Sequence, residues 1–117
     1  MAKDDFMVIA YKILAYLYEC MKAGKTPDPA DYSYSCSMFS IPESYWNSIM
    51  TDMISNGYIA NANVVRTIGY SKIVTTPETR ITMQGAEFLS ENSTMAKVKS
   101  ILGAGFDGIL TGIISAL

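Results

Sequence analysis

A helix that stops abruptly and gives way to extended chain is written into Pro42 to Ile59. At 3.6 residues per turn Trp46, Ile49, Met50, Met53 and Ile54 share one face, while Ser44, Ser48, Thr51 and Ser55 form a stripe almost opposite, flanked by Asn47 and Asp52. One face must pack and the other is free. Pro42 suits the first helical position, where its missing N–H would go unsatisfied anyway, and Asn56-Gly57 allows a left-handed residue at the end. Tyr58-Ile59 then leaves as a strand, so whatever this chain folds into must turn from helix to sheet here.

The segment Ala60 to Thr76 is rich in β-branched residues, with Gly69 near its middle as a turn, and predicts a hairpin. Pro77 and Glu78 are expected to break it, and a short strand Thr79 to Thr82 to rejoin the sheet. Thr82 or a neighbour then caps a helix through Gly85, Phe88 and Leu89 to Asn92. Ser93 or Thr94 caps a last helical segment in which Met95, Val98, Ile101, Leu102, Phe106, Ile109, Leu110, Ile113, Ile114 and Leu117 keep helical spacing. Four glycines in that segment cost about 1 kcal/mol each relative to alanine, so it needs tertiary or intersubunit packing.

Before Pro42, the residues Phe6, Ile9, Ala10, Ile13, Leu14, Leu17, Cys20 and Met21 recur at three- and four-residue steps. They predict a first helix, with Asp4 or Asp5 as cap and Gly24 as terminator. Tyr11, Tyr16 and Tyr18 spread around its circumference, which calls for cover on more than one side. Pro27 and Pro29 forbid a continuous helix after it, although Asp28 can cap a short one beginning at Pro29. The expected order is helix, helix, helix, hairpin, helix, helix: an α+β, mainly α chain built as a winged helix, a three-helix core plus a β-hairpin wing, with additional C-terminal helices. Residues 1–92 form the winged-helix domain, and residues 93–117 an appendage packing on the core or a second subunit.

Half of the 117 residues are hydrophobic, enough for one core but hardly two. A formal net charge of −2 gives no global attraction to phosphate. There is no histidine, and Cys20 and Cys36 are far apart, so zinc-ligand and Cys–His nucleophile patterns are absent. Asp28, Asp31, Glu43 and Asp52 sit where capping and solvation account for them. No enzyme chemistry, metal or cofactor is expected. Acidic residues before Phe6, and Lys12 and Glu19 within the first helix, are unlike a signal peptide and place the chain in the cytoplasm. Gly103-Ala104-Gly105-Phe106-Asp107-Gly108 spells a dinucleotide-binding string but follows a helix with no room for a βαβ unit. Counted from Asp107, the apolar run is half or less of the ~20 residues a spanning helix needs, so no membrane partner is expected.

Tyr45-Trp46, the Ile49/Met50/Met53 pattern, Asn56-Gly57-Tyr58-Ile59, and Ile81-Thr82-x-x-Gly85-x-x-Phe88-Leu89 followed by Glu91-Asn92-Ser93 resemble the YjcQ-like family of small bacterial and prophage winged-helix proteins. The resemblance covers nearly the whole chain. It implies the fold and carries no established activity.

In a winged-helix protein the Pro42 to Asn56 helix would enter a major groove. Its stripe of Ser44, Ser48, Thr51 and Ser55 would meet the DNA, and Asn47 could bond an adenine edge. Arg66 and Lys72 flank Gly69, and a hairpin would carry both near its tip, toward phosphate. Against this, the helix contains no Lys or Arg, whereas half or more of protein–DNA hydrogen bonds go to phosphate and sugar. Two functions therefore stand open. One is a DNA-binding transcriptional regulator on double-stranded DNA, a homodimer through its C-terminal segment; the alternative is a non-catalytic protein-interaction adaptor on the same scaffold.

Overall fold

A computed structural model describes residues 1–117. Five helices and two strands follow in the order α1 (Phe6–Ala23), α2 (Pro29–Tyr32), α3 (Glu43–Ser55), β1 (Ile59–Thr67), β2 (Tyr70–Ile81), α4 (Met83–Glu91) and α5 (Ser93–Ser115). The fold is α+β and mainly helical, with one two-stranded antiparallel sheet.

α1 is the hub, because its apolar residues cover more than one side. Ile9, Ile13, Leu14, Tyr16, Leu17 and Cys20 are almost fully buried. Each fully buried aliphatic side chain contributes roughly 1.5–3 kcal/mol relative to exposure. The tyrosines meet different neighbours: Tyr11 lies against Phe106 of α5 with ring centroids 6.0 Å apart, and Tyr16 against Tyr32 of α2 at 5.7 Å. Tyr16 Oη donates to Asp31 Oδ2 at 2.9 Å and accepts the Asp28 N–H at 3.0 Å, tying the proline-containing segment back to α1. Trp46 Nε1 donates to the Tyr32 carbonyl at 2.9 Å and locks α2 to α3.

Several helix ends follow local chemistry. Gly24 terminates α1 at φ 68°, Asp28 accepts from Ala30 N–H at the start of α2, and Thr82 accepts from Gly85 N–H at the start of α4. Others differ from the sequence expectation. Asp5 occupies the cap of α1, yet its carboxylate accepts from Ala2 N–H at 2.9 Å rather than from the helix. Pro42 stands one position before α3 because its ψ of 144° is extended, so the helix begins at Glu43. Asn92, not Ser93 or Thr94, caps α5, with its carboxamide oxygen accepting from Thr94 and Met95 N–H at 2.9 and 3.1 Å.

The hairpin is longer than expected. Gly69, at φ 91°, supplies the left-handed position of a two-residue loop between Thr67 and Tyr70. Pro77 and Glu78 do not end the strand. They lie in a bulge where pairing jumps from Ala62↔Thr75 to Ala60↔Arg80, leaving Asn61 alone opposite four residues. Asn61, at φ 63°, donates from Nδ2 to the Glu78 carbonyl, and its own carbonyl accepts from Thr76 and Thr79 hydroxyls. A proline without an N–H is tolerated because the ladder is already interrupted there.

The hairpin base locks onto α4. The Thr82 hydroxyl donates to the Gly57 carbonyl, Thr82 N–H donates to the Tyr58 carbonyl at 2.9 Å, and Tyr58 stacks on Phe88 at 4.5 Å. Gly85 is buried against the Tyr58 carbonyl and Ile81, where a β-carbon would collide with backbone. α5 then returns along α1, burying Met95, Val98, Phe106, Leu110 and Ile114. Lys25 Nζ donates to the Ile114 carbonyl at 3.1 Å and fastens the far end.

α5 is not one regular helix, and its apolar residues do not all pack. Gly103 (φ 63°, ψ −159°) kinks it, and Ile101 and Ile109 are more than half exposed. Counted as a whole it reaches 23 residues with a mean hydropathy of 1.3 in its most apolar window. By length and composition it is therefore long enough to cross a membrane, which corrects the shorter count taken from Asp107.

Candidate nucleic-acid interface

The outer face of α3 and the tip of the hairpin enclose one shallow groove of about 420 Å³. From α3 it is lined by Ser44, Asn47, Ser48, Thr51 and Asp52, and from the hairpin by Arg66, Gly69, Tyr70 and Ser71. The inner face of α3 fixes this orientation: Trp46, Ile49, Met50 and Met53 are buried, so the hydroxyl stripe must face outward. The hairpin is positioned by its base, where Ile59 and Ile81 pair and are buried.

Asn47 is the hinge between the two elements. Its Nδ2 donates to the Ser71 carbonyl at 3.0 Å, so one amide donor is spent holding the hairpin against the helix. An adenine needs both the donor and the acceptor of the carboxamide for bidentate reading. Asn47 therefore shapes the groove while its second N–H and its Oδ1 remain without a partner in the chain. Two hydroxyls of the stripe bond backward within α3, Ser48 Oγ to the Ser44 carbonyl at 3.2 Å and Thr51 Oγ1 to the Asn47 carbonyl at 2.6 Å. Both oxygens keep acceptor capacity, and Ser44 and Ser48 are exposed.

Of the seven residues singled out from the sequence, five meet here: Ser44, Asn47, Ser48, Thr51 and Arg66. Ser55 is exposed near the end of α3 and lies outside the groove. Lys72 is also outside it, for a geometric reason. Arg66 pairs with Ser71 and Lys72 with Val65, and successive strand residues alternate between faces, so the two cations point to opposite sides of the hairpin. They cannot act on one phosphate together.

Tyr70 and Ser71 also line the groove, although sequence reasoning passed over them. A two-residue loop at Ile68-Gly69 puts residue 70 directly opposite residue 67, but the meeting of the hairpin tip with α3 is decided by packing and not by that spacing. Tyr70 is largely exposed, and by the same alternation its side chain shares the Lys72 face of the hairpin, so it borders the groove at the tip rather than filling it. Asp52 offsets Arg66, leaving the lining formally neutral.

The hairpin's opposite face carries Val65, Val74 and Lys72, all exposed, and Ile68 at the tip is fully exposed. Elsewhere both cysteines are free, Cys20 buried and Cys36 half-buried, and burial raises both thiols above their ordinary ionisation range. The groove thus offers hydroxyl acceptors and donors, one carboxamide, one guanidinium and one phenol, a set suited to binding.

Comparison with known proteins adds one match. Residues 11–104 fit the family model described as YjcQ protein, a span that contains α2, α3, both strands, α4 and the kink in α5. No curated protein and no solved structure matches the chain.

Proposed function

The chain belongs to the YjcQ family, and from that premise we propose that it is a winged-helix DNA-binding protein acting as a small bacterial or prophage transcriptional regulator. In this assignment α3 is the recognition helix, β1 and β2 are the wing, and the protein is non-catalytic. The observation that carries it is the groove in which Ser44, Ser48 and Thr51 of α3 share one concave surface with Arg66 and Tyr70 of the hairpin. Helix and wing address a duplex from the same side, with Arg66 on phosphate and the exposed hydroxyls toward base edges or backbone. α5 supplies the contact between two copies, so that two α3 helices face two half-sites.

The second assignment is a protein-interaction adaptor. It is favoured by the near-neutral groove lining and by the apolar outer face of the hairpin at Val65, Ile68 and Val74.

Titration with mixed-sequence duplex DNA at low and physiological salt separates the two. At roughly 0.9 units of log–log salt slope per phosphate neutralised, a wing contact gives a shallow but measurable salt dependence. Arg66→Ala is expected to weaken binding and flatten the slope by about one unit. Lys72→Ala, on the other face of the hairpin, is expected to change it less. Absence of binding at low salt would sink the DNA assignment and leave the adaptor.

A further inference from the structure

Ile68 contributes nothing to holding the fold. It is fully exposed at the apex of the hairpin, and Gly69 takes the left-handed position that closes the two-residue loop. Turns favour Gly, Pro, Asn, Asp and Ser, each for a backbone reason that a β-branched apolar side chain does not share. A single exposed apolar residue is ordinary on a protein surface. The surroundings of this one are not.

Beyond Ile73, the last buried residue of β2 on the way to the tip, three pairs carry no buried side chain: Val65↔Lys72, Arg66↔Ser71 and Thr67↔Tyr70. At about 3.3 Å per residue they place Ile68 roughly 13 Å past Val64. The bond from Asn47 to the Ser71 carbonyl braces this projection against α3. No Asp or Glu occurs from Ala62 to Thr75, so the distal hairpin is positive although the whole chain has a formal net charge of −2. Its two cations face apart, Arg66 on the side of α3 and Lys72 on the other. One phosphate strand cannot meet both, whereas a minor groove is walled by a phosphate strand on each side.

We propose that the hairpin tip enters a minor groove with Arg66 and Lys72 toward its opposite walls and Ile68 wedged between two base pairs, bending the duplex. This rests on the DNA-binding reading above and adds the kind of DNA selected, a duplex with an easily unstacked step. An undeformed minor groove is about 6 Å wide and 7.5 Å deep, narrower than a hairpin with side chains on both faces. The groove must therefore open, and apolar wedges that open it kink the duplex toward the major groove. Lys72 meets its wall only in the opened groove, so on mixed-sequence DNA its loss costs less than that of Arg66.

The probes are two duplexes of equal length, one of alternating T and A and one an A-tract. Both offer the same minor-groove acceptors, but the TA steps unstack easily and the A-tract is stiff. Anisotropy at low salt gives affinity, and energy transfer between labelled ends gives bending. The protein is expected to bind the alternating duplex about tenfold more tightly and to shorten its end-to-end distance. Ile68→Ser is expected to abolish both the preference and the bend with an unchanged urea midpoint, and Ile68→Leu to retain them. Lys72→Ala is expected to weaken binding to the alternating duplex only. Equal binding of the two duplexes, a straight bound duplex, or a preference that survives Ile68→Ser would each overturn the wedge and leave the DNA-binding reading standing. Absence of binding to either duplex would overturn both.

Discussion

Glycines at different positions of this chain do opposite work, and the same substitution therefore has opposite signs. Gly85 sits where a β-carbon would meet the Tyr58 carbonyl and the Ile81 side chain, neither of which can withdraw without opening the junction between hairpin and α4. Gly85→Ala is expected to cost about 1–3 kcal/mol, the usual range for overpacking a tight site. Gly105 meets nothing within 4 Å and lies in helix, so Gly105→Ala is expected to gain up to about 1 kcal/mol. Urea titrations of both variants in one buffer check the pair, and a harmless Gly85→Ala would mean that the junction is looser than described. Gly85 could be picked out in the sequence by its place after Ile81-Thr82, but the colliding carbonyl at Tyr58 could not. That carbonyl arrives from a segment 27 positions earlier.

Among the elements, α5 has the most surface left uncovered. Its inner row packs on α1, while beyond the Gly103 kink Ala104, Gly108 and Gly112 recur every fourth residue and are all exposed. Rows spaced by four are the ridges that interlock in helix pairs, and small residues let two backbones approach closely. If α5 meets α5 in the proposed dimer, sedimentation equilibrium should give twice the chain mass at micromolar concentration. Gly108→Leu should return the single-chain mass without lowering the melting temperature, because leucine favours helix more than glycine does. A wild-type protein that stays monomeric at every concentration would rule out this contact. The periodicity of α5 was readable from Met95 to Ile114, whereas the kink at Gly103 was not, because an apolar period says nothing about which glycine leaves the helical region. The hairpin teaches the same lesson in reverse: Pro77-Glu78 looked like a terminator, and hydroxyls from Thr76 and Thr79 turned it into a bulge.

At the level of the whole molecule, α1 is held on several sides through side chains that must remain neutral. Burial raises the phenols of Tyr11, Tyr16 and Tyr32 and the thiols of Cys20 and Cys36. Each binds its proton more tightly folded than unfolded, so its contribution is complete below the unfolded pKa and is lost as pH rises above it. Unfolded thiols and phenols ionise near about 8.5 and 10. Lys12, lowered mainly by burial, works the other way and gains as pH rises, but it is one group against six once Tyr45, also raised, is included. Unfolding free energy is therefore expected to fall by about 1.4 kcal/mol per pH unit for each such group once its unfolded counterpart ionises, giving a steep decline above about pH 9–10. Tyr16→Phe should lower stability at neutral pH, by freeing the Asp28 N–H and Asp31, yet flatten the alkaline decline. A urea midpoint constant from pH 8 to 11 would contradict this account of the core.

The order of the elements, the buried face of α3, the left-handed stops at Gly24, Gly57 and Gly69, and the caps at Asp28 and Thr82 were all legible in the sequence. Each depends on residues within about one turn of one another, where spacing and backbone preference decide. The groove was legible only in part: the stripe on α3 follows from periodicity, but Asn47 bonding to Ser71, Arg66 and Lys72 facing apart, and Tyr70 joining the lining do not. Those features depend on register across the hairpin and on how α3 meets it. A cleft of about 510 Å³ between α1, α4 and α5 was not legible at all, since Tyr11 lies 78 positions before Leu89 and shares a surface with it and with Asp107 only because α5 folds back along α1. Local chemistry set the elements, and long-range packing alone chose which of their faces meet.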